Sequence, residues 1–394
     1  MRIRDFDTYV LGTPWRNLTY LALELDDGTI GFGEARVVGR THTVQEFLRD
    51  TRRHIIGHDV FDIEDLYRRY TLLDFGVPGE IAMTGLALVE MASWDCIGRI
   101  TGQPVYKLIG GKVRERVPAY ANGWYTVERT PEAFAAAARN VLDRGYRALK
   151  FDPFGSGNLE LSRPEFFRAI ELIEAVRNAV GHETEIFLEM HGRFAPHQAQ
   201  EIARAVEPFR PGWLEEPCRP EDPAALKSVA QHTSLPIAFG ERLYSAPQYR
   251  DLFPLRAVNI IQPDMNQCGG LLEVKKIAAA AETHSVMVAP HNVGGILSTT
   301  AAIHLMATLR NGKILEHFND FADAFVKEAG TPYPEVRDGH FALPDGPGWG
   351  VDIDLDFILA HPPEEVGGVC RDPGLNMFAD PDWNQRGQDT GTSS

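Results

Sequence analysis

Three glutamates in the middle of the chain have the type and the spacing to hold a cation. Glu189, Glu215 and Glu241 end the stretches IFLE, WLE and IAFGE, and each stands 26 residues from the next. The stretches are short, apolar and β-prone, and the interval is that of one strand, one turn, one helix and one loop. In a repeating β/α chain this puts the carboxylates at the same ends of three successive parallel strands. Three anions meeting at one point repel unless a hard cation sits among them. Mg²⁺ is the expected ion, because it takes oxygen ligands and keeps positions open for a substrate.

Further ionisable residues stand at neighbouring strand ends. Residues two apart on a strand share a face, so His191 points the same way as Glu189, and Lys150 the same way as Asp152. The stretches IIQPD and VAPH end in Asp264 and His291, 27 residues apart. Adjacent strands then set a carboxylate against an imidazole, which orients the ring, fixes its tautomer and raises its basicity. ILE ends in Glu316. A hard metal with a histidine on each side suits removal of a proton α to a carboxylate, with the metal stabilising the enediolate. Arg193 and Arg242 are candidates to clamp substrate oxygens, and Lys150 either meets the substrate carboxylate or pairs with Asp152. Trp124 and Tyr125 follow the first strand of the repeat and are candidates to line the pocket, with Trp124 equally suited to packing. Glu216 reads as an acceptor for loop hydrogen bonds. The lone Gly31-Phe32-Gly33 before Glu34 reads as a strand-end bend, since no helix-opening glycine follows it.

The elements that must position these residues follow from patterning. IRDFDTYVL and LTYLALELDDGTIGFGEA predict a strand and a hairpin turning at Asp26-Asp27-Gly28. Helical spacing from Leu86 to Ile100 stops at Gly102, with Pro104 beyond. Residues 1–115 therefore read as an N-terminal α+β domain, which the family resemblance given below implies is a capping domain. From 116 to 330 eight strand-like stretches recur: 117–123, 146–152, 185–191, 212–217, 235–241, 257–264, 285–291 and 313–318. Thr130-Pro131, Ser162-Arg163-Pro164-Glu165 and Asp222-Pro223 are helix starts between them. The expected architecture is an α/β fold: a (β/α)₈ barrel, a modified TIM barrel, with its chemistry at the C-terminal strand ends. An open doubly wound sheet suits the equal spacing less well. Residues 331–383 are expected to pack back on the capping domain and complete it, and 384–394 to be a disordered tail.

Composition bounds the partners. The 394 residues carry a net charge of -16, which argues against nucleic acid and anionic membranes. A small carboxylate remains a suitable partner where a metal and arginines reverse the local field, and a homo-oligomer is expected. There is no run of 18 apolar residues and no apolar leader in MRIRDFDTYV. Cys96, Cys218, Cys268 and Cys370 are scattered, as reduced thiols of a cytoplasmic protein would be.

The motifs EMHGR, WLEEP, GERLYS, IIQPDMNQCGG, VAPHNVGG and ILEHF together resemble the enolase superfamily, mandelate racemase/muconate lactonising group, over nearly the whole chain. They are most similar to acid-sugar dehydratases of the galactonate dehydratase type. The resemblance implies that Glu189, Glu215 and Glu241 hold Mg²⁺ and that His191 is the base. It implies that His291, held by Asp264, is the acid expelling a 3-hydroxyl. Glu316 would support the enediolate as a protonated or hydrogen-bonded group. Loops 13–18 and 36–43 would close the barrel mouth, with Trp15, Arg16, Arg36, Arg40 and His42 as specificity candidates. Two departures stand out. Lys150-Phe151-Asp152 replaces the Lys-x-Lys of racemase-type members, and Glu189 replaces the commoner Asp. The expected product is a 2-keto-3-deoxy acid from an aldonate or aldarate. An epimerase or lactone cycloisomerase using the same enolate is the alternative, and a catalytically silent sugar-acid binder is the alternative from another class.

Overall fold

The computed structural model describes residues 1–73, 75–321, 324–366 and 369–370. The N-terminal strands β1 (Ile3–Gly12), β2 (Asn17–Leu25) and β3 (Ile30–Ala35) form an antiparallel sheet in that order. Helices α1 (Thr41–Ile55), α2 (Ile63–Leu73) and α3 (Glu80–Thr101) follow. α3 is apolar nearly all round and buried along most of its length, as a core helix must be. It is long and apolar enough to cross a membrane, but here it is packed between the sheet and the barrel. Glycine makes the contact with β3 close. A side chain at Gly33 would begin 2.2 Å from the Leu88 carbonyl oxygen, and one at Gly31 would begin 2.4 Å from that of Ala92. α3 stops at Gly102 in the left-handed conformation (φ 66°), where the sequence predicts.

After the short α4 (Val105–Leu108) the chain alternates strand and helix. The strands are β4 (Arg116–Ala121), β5 (Ala148–Phe151), β6 (Glu185–Glu189), β7 (Trp213–Glu215), β8 (Ile237–Phe239), β9 (Ile260–Ile261), β10 (Met287–Val288) and β11 (Leu315–His317). Each pairs in parallel with the next from β4 to β10, and β11 pairs with β4. The ring closes between β10 and β11 by one bridge, Val288 to Gly312, with Lys313 N–H donating to Val288 O at 2.7 Å. Helices α5 (Pro131–Asp143), α6 (Arg163–Val180), α7 (Pro196–Val206), α8 (Pro223–Ala230), α9 (Ala246–Arg250), α10 (Leu271–Thr283) and α11 (Ile296–Thr308) occupy the gaps. Thr130, Ser162 and Asp222 cap α5, α6 and α8 as their spacing predicts.

Two features differ from the expectation. The ladders are shorter than the apolar stretches, because their last residues leave the sheet to build the site. An eighth long helix does not follow β11 among the described residues. A 3₁₀ segment, Ala324–Ala329, stands there instead, in a stretch without helical periodicity.

The C-terminal stretch divides. β12 (Gly330–Thr331) pairs with β15 (Asp352–Ile353), while the hairpin β13 (Val336–Arg337) and β14 (His340–Ala342) adds antiparallel to β4. α12 (Leu355–Ala360) packs on β1, and Gly12 N–H donates to His361 O at 2.9 Å. Residues 371–383 and the expected tail at 384–394 lie outside the described residues.

The barrel interior explains how the site is positioned. One inner cluster takes a residue from each strand or its edge: Tyr120, Ala148, Phe187, Trp213, Ala238, Ile260, Ala289 and Ile314. Phe187 and Trp213 stack with centroids 3.5 Å apart, and Tyr120 meets both edge-on. Two residues further along each strand, on the same face, stand Asn122, Lys150, Glu189, Glu215, Gly240, Gln262, His291 and Glu316. An apolar floor thus carries a polar layer. Gly240 (φ 126°) breaks the alternation, so that Glu241 brings the next carboxylate inward.

Candidate active site

Glu189, Glu215 and Glu241 each offer an oxygen, and these oxygens lie within 4.8 Å of one another. Glu189 and Glu215 are buried, and Glu241 reaches the cavity. An anionic, all-oxygen set of this size fits a hard divalent cation. Burial and the neighbouring Glu189 carboxylate push the Glu215 pKa up, against the pull of Lys150, so added positive charge is favoured here. Trp213 Nε1 donates to Glu215 Oε2 at 2.9 Å and fixes the carboxylate plane.

Lys150 pairs with glutamates and not with Asp152. Its Nζ lies 2.5 Å from Glu215, 3.0 Å from Glu316 and 3.2 Å from Glu189. Burial opposes its charge, but the carboxylates outweigh burial and hold its pKa above the usual value. Glu316 accepts from Asn122 Nδ2 at 2.7 Å and from Asn292 N–H at 2.9 Å. Burial would raise its pKa, yet Lys150, His291 and the Asn292 N–H bring it down. Glu316 is thus a buried, hydrogen-bonded group ion-paired with Lys150.

Two Asp–His dyads flank the carboxylates in strand order. His291 Nδ1 lies 2.7 Å from Asp264 Oδ2, and Asn266 N–H steadies the other carboxylate oxygen at 2.8 Å. Burial disfavours the imidazolium, but Glu241, Asp264 and Glu316 raise its pKa to about 10. The second dyad is His191 Nδ1 with Asp152 Oδ2, also 2.7 Å apart. Burial works against charge at His191 too, and Glu189 and Asp152 prevail to raise its pKa. Bonding at Nδ1 makes Nε2 the nitrogen for proton transfer in both rings. The His191–Asp152 pairing was missed from sequence. The signal was available, since β5 and β6 are adjacent and the two residues end them just as Asp264 and His291 end β9 and β10.

Several candidates for substrate contact have other partners. Asp152 orients His191. Arg193 forks onto Asp152 at 2.7 and 3.0 Å and is nearly sealed from solvent, so it clamps the dyad rather than substrate oxygens. Arg16 is fully buried and donates to Val293 O and Asn319 Oδ1. Trp124 is buried, with Nε1 on Lys150 O at 2.8 Å. His42 sits on the outer face of α1, beside Gln45 at 3.2 Å and Glu365 at 3.3 Å, away from the cavity.

The cavity measures about 430 Å³, and Trp15, Arg36, Tyr125, His191, Arg242 and His291 line it. Trp15 stacks on Phe318 at 4.6 Å, and Arg36 lies over Trp15 at 4.7 Å. Arg242 lines the cavity while paired with the buried Glu216. Arg40 also lines it, 3.5 Å from Glu80. Glu80, Tyr244 and Gln267 add to the wall. Glu80 opens α3, and only the docking of the two domains brings it to the barrel mouth, whereas Tyr244 and Gln267 follow β8 and β9 within the stretches GERLYS and IIQPDMNQCGG.

Known proteins resemble this chain in sequence and fold. Residues 12–110 match the family described as mandelate racemase/muconate lactonizing enzyme, N-terminal domain, and residues 133–357 match the enolase C-terminal domain-like family. The chain is 38% identical over 343 residues to a D-gluconate dehydratase of Thermoproteus tenax, covering 86% of this chain and 69% of that one. It is 32% identical to a D-gluconate/D-galactonate dehydratase of Picrophilus torridus, covering 89% and 92%. The crystal structure of a mandelate racemase/muconate lactonizing enzyme from a Jannaschia species superposes with a TM-score of 0.87 at 30% identity, covering 93% and 99%.

Proposed function

The chain belongs to the enolase superfamily, in its mandelate racemase/muconate lactonizing enzyme group, and from that premise we propose that it is a Mg²⁺-dependent dehydratase of sugar acids. The observation that carries the reading is the pair of Asp–His dyads flanking three clustered carboxylates. The named relatives act on D-gluconate and D-galactonate, which supports an aldonate as substrate.

Mg²⁺ held by Glu189, Glu215 and Glu241 would supply positive charge against the substrate carboxylate, where enediolate charge gathers. His191 takes the C2 proton, and Asp152 holds the ring and favours the imidazolium that forms. Lys150, kept charged by its glutamates, adds a buried positive group beside the reacting carboxylate. His291 starts protonated and gives its proton to the 3-hydroxyl, which departs as water. The enol then ketonises to a 2-keto-3-deoxy acid.

Incubation with Mg²⁺ and four- to six-carbon aldonic and aldaric acids in D₂O tests the reading. Keto product from one or a few acids is the expected result. Deuterium or inversion at C2 without keto product would move the assignment to an epimerase. The Glu215→Gln variant should lose metal affinity and activity together, and unchanged metal affinity by calorimetry would remove Glu215 from the ligand set.

A further inference from the structure

The glycines after His291 and the glutamate after Gly31-Phe32-Gly33 meet in space. Glu34 is the next-to-last residue of β3 in the capping domain and is fully buried. Its carboxylate accepts from Gly295 N–H, from Ser298 Oγ at 2.8 Å, from Leu297 N–H at 3.0 Å and from Ser298 N–H at 3.3 Å. These donors form the first turn of α11, whose own N-cap residue, Gly295, has no side chain to cap it. A carboxylate from a different domain thus caps a barrel helix, where the helix dipole favours negative charge. The two glycines make room for it. A side chain at Gly295 would begin 3.0 Å from both Glu34 oxygens, and one at Gly294 would begin 2.3 Å from Ser298.

Only residues 292–294 separate His291 from Gly295, the first donor of this cap. The same loop is held by Arg16 of the capping domain at Val293 O, and by Asn292 N–H on Glu316. Asp264 sets the orientation of the His291 ring, but the loop sets where its backbone stands. A displacement of about 1 Å at that point costs about 10²-fold in rate.

We propose that Glu34 is a positioning residue for His291: by capping α11 across the domain boundary, it makes alignment of the acid conditional on docking of the capping domain. The inference rests on the roles assigned to His191 and His291 above. It predicts a split between two half-reactions. Proton exchange at C2 depends on His191, whereas loss of the 3-hydroxyl depends on His291.

The test compares wild type with Glu34→Gln and Ser298→Ala, using a six-carbon aldonate and Mg²⁺ in D₂O. The amide of Glu34→Gln keeps the size but replaces one acceptor oxygen with an NH₂ that faces two of the four donors. Its kcat for keto product should fall about 10²-fold, with KM little changed and C2 exchange within about threefold of wild type. Ser298→Ala, which removes one donor, should shift the same ratio in the same direction by a few-fold. Hydrogen–deuterium exchange of segment 292–298, measured without substrate, should speed up in Glu34→Gln. Equal losses in exchange and product, or a lowered Tm with an unchanged ratio, would overturn the proposal. Should Glu34→Gln fail to fold, an unchanged ratio in Ser298→Ala would overturn it. A wild-type protein giving neither exchange nor product would instead overturn the dehydratase reading, and unaltered amide exchange in segment 292–298 would still decide against Glu34.

Discussion

Asp152 and Asp264 do equivalent work on two rings, and their removal has separable effects. Asp152→Asn keeps the shape at His191 but replaces an acceptor with an amide able to donate, so the ring loses its fixed tautomer. C2 exchange should fall by about 10²- to 10⁴-fold, with Mg²⁺ affinity unchanged by calorimetry. His191→Asn should abolish C2 exchange while metal binding survives, and full activity in that variant would sink the base assignment. His291→Asn should give the complementary pattern, with exchange at C2 retained and keto product reduced by about 10²- to 10⁴-fold. The carboxylate triplet and the Asp264–His291 pair were legible because strand periodicity puts them at equivalent ends. The partners of Arg16, Arg193 and His42 were not legible. An arginine near acids looks alike in sequence whether it clamps a ligand or another side chain, and only packing distinguishes the two.

Among the elements, the barrel strands carry the most information. Alternation along each strand places an apolar floor and, two residues on, a polar layer. The barrel, and the strand ends at which the candidate site lies, were therefore legible in the sequence. It did not show where the hydrogen-bonded ladders end, because the same apolar stretches continue into the loops. Trp213 links floor and layer: its ring stacks on Phe187, and its Nε1 holds Glu215. Trp213→Phe should keep most of the stacking and lose the hydrogen bond, at about 1–3 kcal/mol for the buried acceptor left without it. Metal affinity should weaken while circular dichroism stays native. Unchanged affinity would show that Trp213 serves only as floor.

For the molecule as a whole, two buried histidines tie distant segments together as neutral rings. His304 accepts from Tyr106 N–H at 3.0 Å, and its Nε2 donates to Trp349 O at 2.9 Å. His317 lies between the hydroxyls of Tyr146 and Tyr333 at 2.6 and 2.7 Å. Burial lowers both pKa values to about 4. An unfolded histidine titrates near 6.5, so between about pH 6.5 and 4 the unfolded chain binds more protons than the folded one. Stability is full above that window and falls as pH drops through it, by up to about 3 kcal/mol per histidine. Calorimetry at pH 7 and pH 5 isolates this contribution by comparison: on going from pH 7 to pH 5 the Tm of wild type should change less favourably than that of His304→Gln. The single bridge that closes the barrel has a different consequence. It joins β10, which leads to His291, with the segment entering β11, which carries Glu316, while Glu189 and Glu215 end the adjacent β6 and β7 and Glu241 stands just beyond β8. Should the ring part at that bridge on heating, turnover would stop while the three carboxylates could still hold a cation: thermal inactivation would then precede metal release, and the two should be separable on cooling.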